Sequence, residues 1–300
     1  MVRMNRRHFL HQALTLSAAL SLRSGWASAG QTAAPRWIVM NWGFTEMALS
    51  LGIVPVGVSA PAWYRRLYAA PALPAQVTDV GLLYQPNFET LRDLHPTLMI
   101  ITPAHGMARA QLATISPLLT LDNNSKTPLV QAMKNLQQMA AALGRPERSQ
   151  RLIDQANARF EQLSQTVAPY KDTAVYLVHA VDVLHVALFS HGSLFDAVLQ
   201  RLGLSNACTM KGGPEGAVLT TLDKLATAKP GTVVLLPSYP QVDDREVLNS
   251  RLWQSLGMLH ASNIVHMPTG LDPSGGVQTA VRFAEFLVKG LVKLAKETRR

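Results

Sequence analysis

The longest unbroken pattern in this chain lies in its middle. From Pro128 to Leu143, and again from Glu147 to Val167, apolar residues recur at helical spacing, with only Gly144-Arg145-Pro146 between the two stretches. Leu152, Ala156, Phe160 and Leu163 line up on one face of the second stretch. So much helix with so little strand signal predicts a stiff connector over residues 146–168, with a separate folding unit on each side.

The flanks have a different grammar. Short β-like runs alternate there with amphipathic stretches. Strands are predicted at Trp37–Met40, Ile53–Val58, Val77–Val80 and Thr97–Ile101, and the last has the continuous apolar character of a strand buried on both faces. A helix from Thr45 to Leu51 stops at Gly52, and Asn87 caps another that runs to about Leu94, just before Pro96. Beyond the middle, strands are expected at Ala174–His179, Leu184–Phe189, Thr232–Leu236 and Asn263–Met267. Helices are expected at Ser193–Leu202, Leu222–Ala228, Arg245–Leu256 and Thr279–Thr298. Such alternation implies α/β units with mostly parallel sheets. The fold expected is two α/β lobes, residues 36–143 and 172–300, joined by the single long helix, with a ligand cleft between them.

The first 29 residues stand apart. Arg3, Arg6 and Arg7 precede an apolar run from Ala13 to Leu22 and then Ala27-Ser28-Ala29, the three parts of a cleavable export signal. Asn5-Arg6-Arg7-His8-Phe9-Leu10 matches the twin-arginine pattern, the competing reading being a general secretory signal with two adjacent arginines. Removing this segment takes away four arginines and no acid, which leaves 24 of the 28 basic residues against 19 acidic ones, a net charge of about +5. With no dense Lys/Arg run and no interleaved aromatics, nucleic acid is not an expected partner. Cys208 is the sole cysteine, so the chain has no internal disulfide, and none stands at the cleavage point to take a lipid. The apolar Phe283–Leu294 stretch is broken by Glu285, Lys289 and Lys293, and the mature chain is expected to be soluble.

Catalytic and metal-binding patterns are absent. Ser190-His191-Gly192-Ser193 and Asp272-Pro273-Ser274-Gly275-Gly276 lack the spacing of a nucleophile elbow, and neither phosphate-loop nor dinucleotide-binding glycine pattern occurs. The seven histidines beyond residue 29 include no pair at i, i+4 on a helix. No catalytic residue, metal site or resident cofactor is therefore assigned, although an enzyme whose site leaves no motif remains the alternative of another class.

The order of short motifs resembles the periplasmic ferric-hydroxamate-binding protein family. Trp42 through Glu46, Leu51-Gly52-Ile53-Val54-Pro55-Val56-Gly57-Val58, Asp79-Val80-Gly81, Pro86-Asn87-Phe88-Glu89 and His95-Pro96-Thr97-Leu98-Met99-Ile100 carry the likeness in the first half. Gly192-Ser193-Leu194-Phe195, Leu202 through Ala207, Thr220 through Leu225 and Pro230 carry it in the second. The resemblance implies the helix-linked class of ABC-importer solute-binding proteins: a monomer in the periplasm that takes a ferric siderophore to an inner-membrane permease. It also implies that one acid at the tip of each lobe, Glu89 and Asp223, pairs with permease arginines through oriented, charge-assisted bonds. The bland reading of both is a helix-start acid favoured by the dipole.

Ligand contacts depart from the family pattern. The family's cleft arginine falls at Leu83, its loop tyrosine at His105, a cleft tryptophan at Leu271, and its Trp-rich loop at Met210-Lys211-Gly212-Gly213-Pro214-Glu215. The ligand-binding residues expected here are Trp42, Trp63 and Tyr64 in the first lobe, Tyr84 and His105 as donors to ligand oxygens, and Met210 with Lys211 in the second lobe. Core packing is the competing role for each aromatic. Haem, a corrinoid or another metal chelate is the alternative cargo, with His105 and His191 as its first suspects.

Overall fold

A computed structural model describes residues 35–225, 231–237, 244–256 and 263–298. The export-signal assignment to residues 1–29 lies outside them. Five strands, β1 (Trp37–Val39), β2 (Gly57–Val58), β3 (Thr78–Asp79), β4 (Leu98–Ile101) and β5 (Leu118–Thr120), make one sheet in the order β3-β2-β1-β4-β5. Every pairing in it is parallel. Six more, β6 (Ala174–Ala180), β7 (His185–Phe189), β8 (Ser205–Asn206), β9 (Ala217–Thr221), β10 (Thr232–Leu236) and β11 (Ile264–His266), make the second, in the order β11-β10-β6-β7-β9 with β8 beside β6.

The second sheet is mixed, because β7 runs antiparallel to both β6 and β9. The turn between β6 and β7 explains the reversal. Asp182 Oδ1 accepts from the amides of Leu184 and His185 at 2.7 and 2.8 Å, closing a hairpin far too short for a parallel crossover.

Local signals set most helix ends. Helix α1 (Trp42–Ser50) starts three residues before the expected Thr45, because Asn41 Oδ1 accepts the Phe44 amide at 3.0 Å. Helix α2 (Pro61–Leu67) forms where the sequence reading placed no element, with the proline at the first turn, where its missing N–H costs nothing. Helix α3 (Phe88–Asp93) begins at Asn87 as expected, whose Oδ1 accepts from Glu89 and Thr90, and α4 is Arg109–Ala113. The predicted Ile53–Val58 strand shrinks to two residues, since Pro55 has no N–H to give a neighbouring strand.

The middle forms α5 (Pro128–Ala142) and α6 (Pro146–Val167). Helix α7 (Leu194–Leu202) is capped by Ser193 Oγ and closed by Gly203 at φ 77°. The expected Arg245–Leu256 helix is two, α8 (Asp244–Asn249) and α9 (Arg251–Ser255), because Ser250 stops the first and caps the second. Of the predicted Leu222–Ala228 helix, Leu222–Leu225 forms a 3₁₀ turn, and the remainder lies outside the described residues. The last helix, α10, is Val277–Thr298. No helix among the described residues is long and apolar enough to cross a membrane.

Helix α6 is more than a rod. Its buried face, Ile153, Ala156, Phe160 and Leu163, enters one continuous core with Met47 of α1, Met139 of α5, Phe195 of α7 and Phe283 of α10. The rings of Phe195 and Phe283 stack at 4.2 Å. The long helix expected between the lobes is present, and α1, α5, α7 and α10 pack with it into a helical layer that the two sheets share. An apolar stripe on a helix of this length is driven to bury itself rather than span solvent.

Candidate functional site

The carboxyl ends of strands are where open α/β sheets place their ligands, and a cavity of about 650 Å³ opens there. Arg66 and Leu67 of α2 form one wall; Val181, Phe189, Leu236 and Leu271, around the ends of β6, β7 and β10, form the other. Beside it lies a second groove of about 650 Å³, between Ser125 and Lys126 on one side and His191, Met210, Lys211 and Gly213 on the other. Glu215 lines both, on a turn where its φ is 56° and its Oε1 accepts from Ser274 Oγ at 3.0 Å. Each groove has the size of a small-molecule site; the first is largely apolar-walled, whereas the second is lined mostly by polar residues and glycines.

The residues expected to bind ligand divide sharply. Trp42 and Trp63 are half-buried and stack at 6.3 Å; Trp42 Nε1 donates to the Ser59 carbonyl at 2.9 Å, which fixes the pair. Tyr84 is 59% exposed. Met210 and Lys211 are exposed in the second groove.

Tyr64 is a correction. Its side chain is fully buried, stacked on Tyr68 at 4.8 Å, with its hydroxyl donating to the Pro71 carbonyl at 2.8 Å. Adjacent helical residues point about 100° apart, so Trp63 and Tyr64 cannot both face the cleft.

His105 is also corrected. Only 3% exposed, it accepts the Thr102 amide at Nδ1 (3.2 Å), which places its proton on Nε2, and Nε2–H donates to the Leu83 carbonyl at 2.7 Å. Both ring nitrogens are used to tie two loops together, so neither is free for a ligand oxygen or a haem iron. Tyr84 leans on this ring at 5.5 Å. His191 is open to the second groove, with Nδ1 3.3 Å from Asp196.

The two acids assigned to docking are both exposed. Glu89 sits in the first turn of α3, and Asp223 in the Leu222–Leu225 turn, where a hydrogen bond from the Thr221 side chain lowers its carboxyl pKa. Among the described residues no three His, Cys, Asp or Glu side chains are placed to hold a metal.

Three features were not legible in the sequence. Arg66 stands over Trp63 at 5.4 Å, an i, i+3 neighbour on a helix the sequence did not reveal. Glu215 was visible only as part of a loop. Glu46 of α1 is wholly buried and accepts from the Gly276 amide (2.5 Å), Thr279 Oγ1 (2.8 Å) and Arg282 Nη2 (3.2 Å) at the start of α10. Burial raises its pKa to about 7 against those donors.

A two-lobed α/β body with a largely apolar interlobe cavity rimmed by charge is the architecture of a solute-binding protein. The periplasmic binding protein family model matches residues 38–269, and the chain belongs to that family. It is 28% identical over 234 residues to the iron(3+)-hydroxamate-binding protein FhuD of Escherichia coli (strain K12), covering 78% of this chain and 79% of that protein. It is 30% identical over 177 residues to the achromobactin-binding periplasmic protein of Dickeya dadantii (strain 3937), covering 56% and 55%. Among solved structures, the siderophore-binding protein FhuD from Vibrio cholerae, bound to Fe³⁺–Desferal, superposes with a TM-score of 0.81 at 25% identity, over 87% of this chain and 99% of that one. These relatives are binding proteins by name, in agreement with a binder rather than an enzyme.

Proposed function

We propose that this chain captures a ferric siderophore in its interlobe cleft, in the periplasm, and delivers it as a monomer to an inner-membrane ABC permease. The observation that carries this is the cavity of about 650 Å³ between α2 and the ends of β6 and β10, roomy enough for a bulky chelate and walled by apolar side chains. The names of the E. coli and V. cholerae relatives support an iron chelate as cargo. Trp63, packed under the lining residue Arg66, and Trp42 stacked on it offer broad contact to an amphipathic ligand, Tyr84 is exposed on the same lobe, and Met210 and Lys211 line the adjoining groove.

Tryptophan fluorescence tests this directly. Adding ferric desferrioxamine B, ferrichrome, ferric citrate or a ferric catecholate to the mature protein is expected to quench emission at micromolar concentration or below for at least one. Silence across all four would remove the proposal.

Docking through Glu89 and Asp223 is a separate element of the proposal, supported by their exposure on short helical turns in different lobes. Reversing both to lysine is expected to abolish uptake in cells while leaving the chelate's Kd within about twofold, because rim charges govern registration with a partner rather than the cleft. Uptake that persists in the double variant would discard the docking assignment.

A further inference from the structure

Helix α2 carries two adjacent arginines with different surroundings. Arg65 donates from Nε to the Leu73 carbonyl at 3.4 Å and from Nη2 to the Pro74 carbonyl at 2.9 Å. The Arg66 side chain makes no hydrogen bond or ion pair with any described residue; its guanidinium carbon lies 5.4 Å from the Trp63 ring centroid. Behind Trp63 stands Trp42, whose indole N–H is anchored on the Ser59 carbonyl, so the stack Trp42–Trp63–Arg66 has a fixed base.

The outer end of that stack lines the interlobe cavity, where Arg66 is the sole lysine or arginine among the described lining residues. The acids that share this lining are engaged elsewhere. Glu215 accepts from Ser274 Oγ, and buried Asp272 accepts from the Ser274 amide and the Tyr68 hydroxyl. A guanidinium stays charged at every working pH, presents five N–H donors in a planar fork and loses little by stacking on an indole. Val181, Phe189 and Leu271 give the rest of the lining a largely apolar character, interrupted by His179 and Thr269.

We infer that Arg66 is the specificity-determining cation of the cleft: its fork donates to the negatively charged, iron-bound oxygens of the chelate while Trp63 holds it in place and the apolar wall packs the chelate's body. This rests on the cleft reading above and names the group that reads the cargo's charge. The shared ligand chemistry is a close pair of anionic oxygens, from hydroxamates or from carboxylates.

The experiment measures Kd for ferric desferrioxamine B and ferric citrate, with melting temperature recorded alongside. Arg66→Met keeps the length and the apolar stem, and is expected to lose at least about tenfold in affinity for whichever probe the wild type binds, with melting unchanged. Arg66→Lys restores only part, since a point charge does not reproduce the fork. Trp63→Leu weakens binding by several-fold and removes the advantage of arginine over lysine at residue 66. A wild type that binds neither probe overturns this inference and leaves the cleft reading to ferrichrome and the ferric catecholate. A wild type that binds, with Arg66→Met binding equally well, overturns the assignment of Arg66 alone.

Discussion

The seam where the lobes touch and the cleft where they part lie close together, yet their charges are settled in opposite ways. At the seam, Glu46 is wholly buried and receives three donors from the start of α10. Arg282 also donates to the carbonyls of Ala70 and Gly270, and Asp272 binds the Tyr68 hydroxyl across the same boundary. The backbones come close here: a Cβ on Gly270, whose φ is +86°, would stand 2.3 Å from Ala69 Cβ, and one on Gly276 would stand 2.9 Å from Glu46 Oε2. In the cleft, Arg66, Lys211 and Glu215 keep much of their surface open to solvent. A buried charge must find its partners within the protein, whereas an exposed one can keep its donors for a ligand. The seam holds the lobes in one arrangement, and the cleft is where the molecule stays chemically receptive.

Two measurements probe this contrast, the stronger first. Arg282→Ala strips Glu46 of its counter-charge and leaves the Ala70 and Gly270 carbonyls without that donor. It is expected to lower unfolding free energy by about 3–5 kcal/mol in urea titration. A loss below about 1 kcal/mol, the size of a surface pair, would mean the seam is no more than a surface feature.

The second uses pH. Burial raises Glu46 from 4.5 to about 7 and Asp272 from 3.8 to about 6. Both groups hold their protons more tightly folded than unfolded. Their contribution to stability is complete below the unfolded values and disappears as pH rises through about 6 to 7, with Glu46 alone accounting for about 3 kcal/mol. Urea midpoints are expected to be higher near about pH 5 than near about pH 8. Glu46→Gln, which cannot ionise, should flatten much of that slope. An unchanged slope in the variant would show that the pH dependence arises elsewhere.

Much of the fold was legible because its signals are local. Asn87 and Ser193 cap helices where their side chains reach the next turn's amides, and Gly203 ends one by adopting a left-handed backbone. Helix α2 was missed because Ala60 before it has a φ of 44°, and a proline-led start after an unusual backbone reads as a loop. The hairpin at Asp182 was missed as a cause of antiparallel pairing, since two strand-like runs separated by a few residues carry no mark of direction in their apolar pattern. The site was less legible than the fold. Trp63 was placed at the cleft and Tyr64 beside it, and only the direction of each side chain separated them. His105 looked available for a ligand until the carbonyl of Leu83, 22 positions earlier in the chain, was found against its Nε2.

Sequence alone determined the periodicities, the caps, the short strands and the absence of catalytic motifs, because each depends on residues within a turn or two of one another. Tertiary structure alone decided which groups are spent and which are free. Glu46 meets Arg282 from 236 positions away, and Arg66 differs from Arg65 only in what lies within reach of its guanidinium. Hydrogen bonds and desolvation act over a few ångströms of space, and separation along the chain says nothing about that distance.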